Sequence, residues 1–484
     1  MLRHRATGAP LICSLGLVGS VLVVLAAWPA NTSARAGVRR PWLAGTRGWR
    51  WVPTLPVVDL VWLVAMACLV TAWILLRRAV ADGDWSTRAV IAVVVLWAVP
   101  FVVAPPVGSR DMYSYATHGE LRSRGIDPGR STSARLPTGS PYDESIAGPW
   151  RNVVSAYGPV STAMSWAAVE LAGHHLDATV LWLRAWAMLG LAALVAATVA
   201  LARSYGRNAR DALVLMGASP LALVHVVGGG HNEAVMAALM VSALVVARRW
   251  RGYGGLGGAL VLVGVATAVK LPTALAAVYL GWIGATAGPD RTSRRVVRSV
   301  LALAVVAAVI EGVAVAVSVG WGWLVDGVRS GGLVSTSMSM SLALGRALGW
   351  LVGRHGLRRR AFAQGVQTFV QALSATVAAW LVLRSPRLGL RALAVGLLVV
   401  AVLGAGVQPW YLLWSMPLFI TLEAGRRARW LVVAIGVASV CTHPGGGGFF
   451  PNPGGWPILT LGLLIAGGWA AWGRRRRLVA LLLG

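Results

Sequence analysis

The sequence predicts an all-α protein that crosses a membrane many times. Three observations carry that prediction: a mean hydropathy of +0.69, 57% hydrophobic against 12% charged residues over 484 positions, and apolar runs that recur along the chain at close to spanning length. Soluble domains carry charge on about a quarter of their residues. The net charge of +28 sits in short arginine clusters between the apolar runs. A nucleic-acid reader gathers its cations on one folded surface, so the charge here reads as membrane topology and no nucleic-acid partner is expected. Cys13, Cys68 and Cys441 lie in or at the end of apolar runs without ligand spacing, which argues against both a disulfide framework and a zinc site.

Taken in order, the apolar runs fall near 11–30, 57–76, 89–105, 178–202, 211–227, 232–248, 254–269, 272–287, 297–319, 362–383, 388–406, 409–422, 430–441 and 457–472. The count predicts about 13 to 15 transmembrane helices, since each needs roughly 20 apolar residues. The first run follows Met-Leu-Arg-His-Arg and exceeds the signal-peptide core of about 7 to 15 residues, so it reads as a retained helix. The pairs around Lys270 and Pro409 read as hairpins or as single broken helices. Three regions result: N-terminal transmembrane helices over 1–105, a large loop with juxtamembrane helices over 106–177 after the third span, and a helical bundle over 178–484 with loops at 320–361 and 442–456.

Orientation follows from the arginines. With a cytoplasmic N-terminus, alternate exits land on Arg77-Arg78 and on basic runs that begin at Arg203, Arg248, Asp290, Arg384, Arg426 and Arg474. Basic residues mark cytoplasmic loops, so both termini are expected in the cytoplasm. The loops at 31–56 and 320–361, with their own arginines, are the exceptions. The opposite helix ends gather a different set: Arg110-Asp111 with Tyr113 and Tyr115, Tyr157-Gly158-Pro159, Gly228 to Glu233, Lys270-Leu271-Pro272, Gln408 to Trp414, and the run from Thr442. A reactive site is therefore expected on the extracytoplasmic face. Asp59, Glu170 and Glu311 form no such pattern.

Within that set Asp111 is the candidate catalytic residue, a carboxylate able to take a proton from an attacking hydroxyl. Beside Arg110 it should stay ionised at neutral pH; alternatively it pairs with Arg110 or caps a juxtamembrane helix. Arg110, Lys270, His231 and Asn232 offer donors to a phosphate, and Gly228 to Gly230 would let backbone approach it. The same run also reads as a flexible turn with a cap at Asn232, and Lys270 as a snorkelling anchor. Tyr113, Tyr115, Tyr157, Glu233, Gln408, Trp410 and Tyr411 are candidate substrate contacts. Trp410, Tyr411 and Trp414 serve equally as an interfacial belt. Asp82-Gly83-Asp84 has metal-binding spacing but lies in a predicted inner loop and reads as a turn, so no metal site is assigned.

The motifs Ser109-Arg110-Asp111-Met112-Tyr113-Ser114-Tyr115, Gly125-Ile126-Asp127-Pro128, Tyr157-Gly158-Pro159, Gly230-His231-Asn232-Glu233, Lys270-Leu271-Pro272 and Gln408-Pro409-Trp410-Tyr411-Leu412-Leu413-Trp414 occur in this order. Together they resemble the actinobacterial polyprenol-phosphomannose-dependent α-1,6-mannosyltransferases of the GT-C superfamily. The resemblance spans roughly 90–475. It implies a multi-pass cell-membrane enzyme with a GT-C fold, in which Asp111 activates the acceptor and 106–177 builds much of an extracytoplasmic site. It further implies a polyprenyl phosphomannose donor, a lipid-anchored mannan acceptor, surrounding membrane lipids, inversion at the sugar and no cofactor. Because the implied leaving group is a monophosphate, no obligatory divalent cation is expected. Two positions depart from the family pattern: Thr117-His118-Gly119 replaces Ala-Gln-Gly, and Gly129 replaces a tyrosine after Asp127-Pro128. A GT-C transferase using another polyprenyl-phosphate sugar, and a secondary transporter or lipid flippase, are the alternative readings.

Overall fold

Helix is the only regular structure among the described residues, as the apolar runs demand. Inside a bilayer every backbone N–H and C=O must find its partner within the protein, and a helix does this within one segment. The computed structural model describes residues 8–32, 55–83, 85–146, 148–284, 291–327, 340–353, 355–404 and 408–422. The expected runs at 430–441 and 457–472, the loop at 442–456, Cys441 and the basic runs from Arg426 and Arg474 lie outside them.

In chain order the principal helices are α1 (Gly8–Thr32), α2 (Leu55–Ala81), α3 (Thr87–Val102), α4 (Asp111–Ser123), α5 (Pro159–Leu171), α6 (Leu176–Ser204), α7 (Ala209–Gly217), α8 (Glu233–Arg249), α9 (Tyr253–Thr267), α10 (Ala274–Ile283), α11 (Thr292–Ala316), α12 (Met340–Leu351), α13 (Gly356–Leu383), α14 (Leu390–Leu403) and α15 (Met416–Leu422). Each of the first twelve expected runs coincides with helical structure. Among the described residues five helices, α1, α2, α6, α11 and α13, are long and apolar enough to cross a membrane, which makes the chain a multi-pass membrane protein. A sixth span follows if α7 and the π-helical turn Leu221–Gly228 count as one. Their axes bend by 53° at the break, where Pro220 cannot continue an upstream hydrogen-bond ladder.

The bundle grows by packing neighbours in sequence. α1 lies on α2 and α3, α8 lies between α6 and α9, and α11 rests on α10 and α9. Indoles lock the N-terminal helices to carbonyls elsewhere: Trp97 Nε1 donates to Cys13 O at 3.1 Å and Trp73 Nε1 to Val214 O at 2.9 Å. Lys270 stands between two separate, mutually packed helices, α9 and α10, joined by the 3-10 turn Leu271–Thr273. At Pro409 the chain forms the 3-10 turn Pro409–Trp414 ahead of α15. Asp82 and Gly83 form a turn after α2, and Asp84 is outside the described residues.

The region expected as a large loop is largely helical. α4 packs on α5, and both rest on α6. Gly158 lets this unit close on the bundle: its N–H donates to Val269 O at 3.2 Å and the N–H of Val160 to Ala268 O at 2.9 Å. A Cβ at Gly158 would fall 2.3 Å from Ala268 O.

Candidate active site

Helix ends bring the site together. Asp111 opens α4, His231 to Glu233 open α8, Lys270 follows α9, Tyr157 precedes α5, and Trp410 and Tyr411 lie in the turn before α15. The buried guanidinium of Arg184 fixes two of these approaches, donating to Val102 O at 2.8 Å and to Gly228 O at 3.2 Å. Gly228 O also accepts from Val107 N at 3.1 Å. The segments leading to Asp111 and to His231 are thus held side by side. Gly230 has φ of +62°, and a Cβ there would lie 2.4 Å from the Met112 side chain. Both the conformation and the space call for glycine.

The chemical centre is a pair of carboxylates around one imidazole. His231 Nδ1 lies 3.8 Å from Asp111 Oδ2 and 3.8 Å from Glu233 Oε2. Lys270 Nζ donates to Glu233 Oε1, and its ammonium faces the rings of Tyr411 at 4.4 Å, Tyr157 at 5.1 Å and Trp414 at 5.7 Å. The structure adds to this lysine a carboxylate partner, Glu233, that neither sequence reading of it included. The ammonium is part-buried, already paired, and boxed by aromatic faces. Burial alone would lower its pKa, but Glu233, Tyr411 and Tyr157 outweigh that and hold it well above the usual lysine value.

Asp111 keeps 17% of its side chain exposed, so a substrate hydroxyl can reach it. Burial, and then the neighbouring Glu233 carboxylate, push its pKa up to about 6 against the opposing pull of Lys270 and Ser109. The opposing cation is therefore Lys270. Arg110, expected beside Asp111, donates to Ser145 O at 2.7 Å and lies 6.0 Å from the Tyr113 ring. Asp111 sits in the first turn of α4, where its N–H is capped by Ser109 Oγ at 3.1 Å.

Helical periodicity sorts the two tyrosines. Residues i and i+4 share a face, whereas i+2 points away. Tyr115 accordingly joins the Asp111 side and meets Tyr157, Oη to Oη, at 3.3 Å. Tyr113 is buried toward Arg110, Asp177 and Arg184 instead, so the structure does not bring it to the centre. His118 continues the Asp111 face, its ring 6.3 Å from that of Tyr157, and burial lowers its pKa to about 4.

His231 stacks on Trp410 with centroids 3.7 Å apart and 17° between planes. Burial, His225 and Lys270 hold its pKa well below the usual value, so it is a neutral imidazole. Among the described residues neither of its nitrogens has a hydrogen-bond partner, nor do Asn232 Oδ1 and Glu233 Oε2. Buried polar atoms without partners suit a ligand that supplies them. Asn232 is aimed by its Nδ2 donating to Ser161 Oγ at 2.9 Å. Gln408 starts the aromatic turn and accepts from Tyr411 N through its carbonyl at 3.0 Å. Sequence reasoning passed over Ser161, His225 and Arg184; an arginine inside an apolar run was the available signal for the last.

These features define a multi-pass helical membrane protein with a titratable carboxylate, a paired ammonium and stacked aromatics where several helix ends meet. The family model described as alpha-(1->6)-mannopyranosyltransferase, N-terminal domain, matches residues 13–286, and an MptB C-terminal domain model matches 336–472. The chain is 28% identical over 432 residues to alpha-(1->6)-mannopyranosyltransferase A of Mycobacterium tuberculosis, covering 86% of this chain and 80% of that one. It is 30% identical over 230 residues to alpha-(1->6)-mannopyranosyltransferase A of Corynebacterium glutamicum, 46% of each chain. Alpha-(1->6)-mannopyranosyltransferase B of the latter organism is 25% identical over 437 residues, 83% of this chain and 71% of that one. No solved structure matches. The chain belongs to the alpha-(1->6)-mannopyranosyltransferase family.

Proposed function

We propose that this protein is a GT-C glycosyltransferase that moves mannose from a polyprenyl phosphomannose donor to a lipid-anchored mannan, forming an α-1,6 linkage with inversion on the extracytoplasmic face. The observation that carries the reading is Asp111, a partly exposed carboxylate with its pKa pushed up to about 6, set near aromatic rings and a paired ammonium. A base poised near the working pH is ionised and still a useful proton acceptor.

In the reaction, the acceptor hydroxyl oxygen attacks the anomeric carbon as the bond to the donor phosphate breaks on the opposite face. Its proton passes to the Asp111 carboxylate, and polyprenyl phosphate leaves with the bonding electron pair. His231, Asn232 and Lys270 are nearest for the phosphate, with His231 offering a neutral N–H and Lys270 a charge shared with Glu233. Arg110 serves the headgroup level at the edge. Tyr115, Tyr157, Trp410 and Tyr411 flank the sugar, and Gln408 borders them. Both termini lie in the cytoplasm in this reading, as the arginine clusters favour. A monophosphate leaving group demands less charge neutralisation than a diphosphate, so chelators should leave turnover unchanged; loss of turnover in EDTA would refute this part.

The deciding experiment is Asp111→Asn, purified and supplied with polyprenyl phosphomannose and a synthetic mannoside. Turnover should fall by roughly 10²- to 10⁴-fold, the usual worth of a general base, while the melting temperature stays. Wild-type turnover would overturn the assignment of Asp111.

A further inference from the structure

Away from the carboxylate centre, α10 carries the chain from Lys270 to a second polar feature. Its ten residues span about 15 Å. Beyond them Trp282, Thr292, Arg295, Leu383, Arg384, Pro386 and Arg387 line an open cavity of about 440 Å³. The lining comes from four places: the last turn of α10, the first turn of α11, the end of α13 and the short helix Ser385–Leu388.

Three guanidiniums face one cavity, and none of them makes an ion pair with a described residue. Like charges gathered together repel, and no carboxylate lines the cavity among the described residues, so an anion would complete it. Part of its wall is fixed: the Trp282 ring donates through Nε1 to Leu383 O at 3.0 Å, which ties α10 to α13. Arg295 lies 5.9 Å from that ring, and Arg384 lies 4.9 Å from the Trp380 ring. A guanidinium held beside an aromatic ring still presents an N–H fork, the geometry that suits phosphate oxygens. The rim is apolar. Ile283, Val296, Trp380, Leu383 and Leu388 are each at least 39% exposed around it, as acyl chains require.

We propose that this cavity binds a phosphate-bearing anion, the headgroup of an anionic phospholipid whose acyl chains lie over the exposed apolar rim. The basic runs that supply the arginines, from Asp290 and from Arg384, are those expected in the cytoplasm, and basic pockets between helices on that side hold anionic headgroups. The assignment does not depend on the chemistry proposed for Asp111.

Full-length protein in nanodiscs of equimolar phosphatidylglycerol and phosphatidylcholine, released into native mass spectrometry, tests it. Wild type should retain phosphatidylglycerol over phosphatidylcholine by roughly tenfold or more, given the attraction of each cation for an anionic headgroup. Arg295→Gln/Arg384→Gln/Arg387→Gln should lose that preference. Arg358→Gln/Arg359→Gln/Arg360→Gln, which removes the same charge at the other end of α13, should keep it. Equal behaviour of the two triple variants, or no preference in wild type, overturns the site. If inorganic phosphate alone binds in phosphatidylcholine discs and displaces no lipid from mixed discs, the ligand is free phosphate and the lipid assignment is wrong. Should the first variant unfold, Arg384→Gln/Arg387→Gln, at two exposed positions, carries the same comparison.

Discussion

Helices α4 and α11 invert the rule of soluble proteins. α4 reads Asp-Met-Tyr-Ser-Tyr-Ala-Thr-His-Gly-Glu-Leu-Arg-Ser, yet Ser114, Thr117 and Glu120 are as buried as Met112. α11 is dominated by Val, Ala and Leu, yet it buries only a narrow seam of Ser299, Ala302, Val306, Ile310 and Ala314. Its Val300, Leu301 and Val315 are 60%, 58% and 67% exposed. Lipid is as apolar as leucine, so an apolar face gains nothing by turning inward, whereas a polar group must find protein partners. Thr117 Oγ1 finds two carbonyls, of Tyr113 at 2.8 Å and Tyr142 at 2.9 Å, and Glu120 finds Arg124 and His174, each at 2.8 Å. Stability should therefore concentrate where buried polar groups meet, and the lipid-facing valines should matter little.

The sharpest test of that contrast is the Glu233–Lys270 pair. Glu233→Ala leaves a part-buried ammonium among aromatic rings, and breaking a fully buried pair costs about 3–5 kcal/mol, so a loss at or somewhat below that range is expected here. Denaturation in mixed detergent should show it, and Lys270→Met should cost a comparable amount. The double variant Glu233→Ala/Lys270→Met should recover much of the loss, because no charge remains stranded. Additive losses would mean that the two groups stabilise separately, against the contact seen here.

A smaller effect is expected where α5 meets the bundle. Gly158→Ala puts a methyl group 2.3 Å from a backbone carbonyl that cannot swing away, a clash worth about 1–3 kcal/mol. Turnover should fall with it, since Tyr157 rides on the same turn. A neutral Gly158→Ala would mean that α4 and α5 are not clamped to Ala268.

Much of this was legible in the chain. The apolar runs mark the helices, and Asp111, His231, Glu233 and Lys270 stand out as types rare in such a sequence at helix ends, whereas Trp410, one of 24 tryptophans, is marked only by its motif. Their pairing was not legible. Glu233 and Lys270 are 37 positions apart, and no local pattern tells that the ammonium meets a carboxylate before any phosphate. Adjacency misled at Arg110, which precedes the first helical residue and turns to Ser145 O, and at Tyr113, because residues i and i+2 of a helix point apart. The burial of α4 also escaped notice, since polarity in a connecting segment ordinarily signals exposure.

The pKa of Asp111 offers a third measurement. As a base it must be unprotonated, so kcat/KM should be level above pH 7 and should fall about tenfold per unit below about pH 6. A carboxylate as exposed as the valines of α11 would place that limb near 4. Lys270→Met withdraws the cation that now opposes the rise, and should carry the limb to higher pH. A limb near 4 in wild type would remove the case for a desolvated base.

The smallest effect is expected on α11 itself. Val300→Ala removes two methyl groups from a side chain that is 60% exposed and outside the Ser299–Ala314 seam, and substitutions at such positions change stability by less than about 0.5 kcal/mol. The seam supplies the contrast: Gly281 approaches Ser299 so closely that a Cβ would fall 2.7 Å from its Cα, which leaves no space for a larger side chain there. Denaturation of Val300→Ala in bicelles checks the first point directly. A loss of 2 kcal/mol or more, the size of a filled core position emptied, would mean that protein covers this face in the membrane, and the division between polar interior and lipid-facing valines would fail at α11.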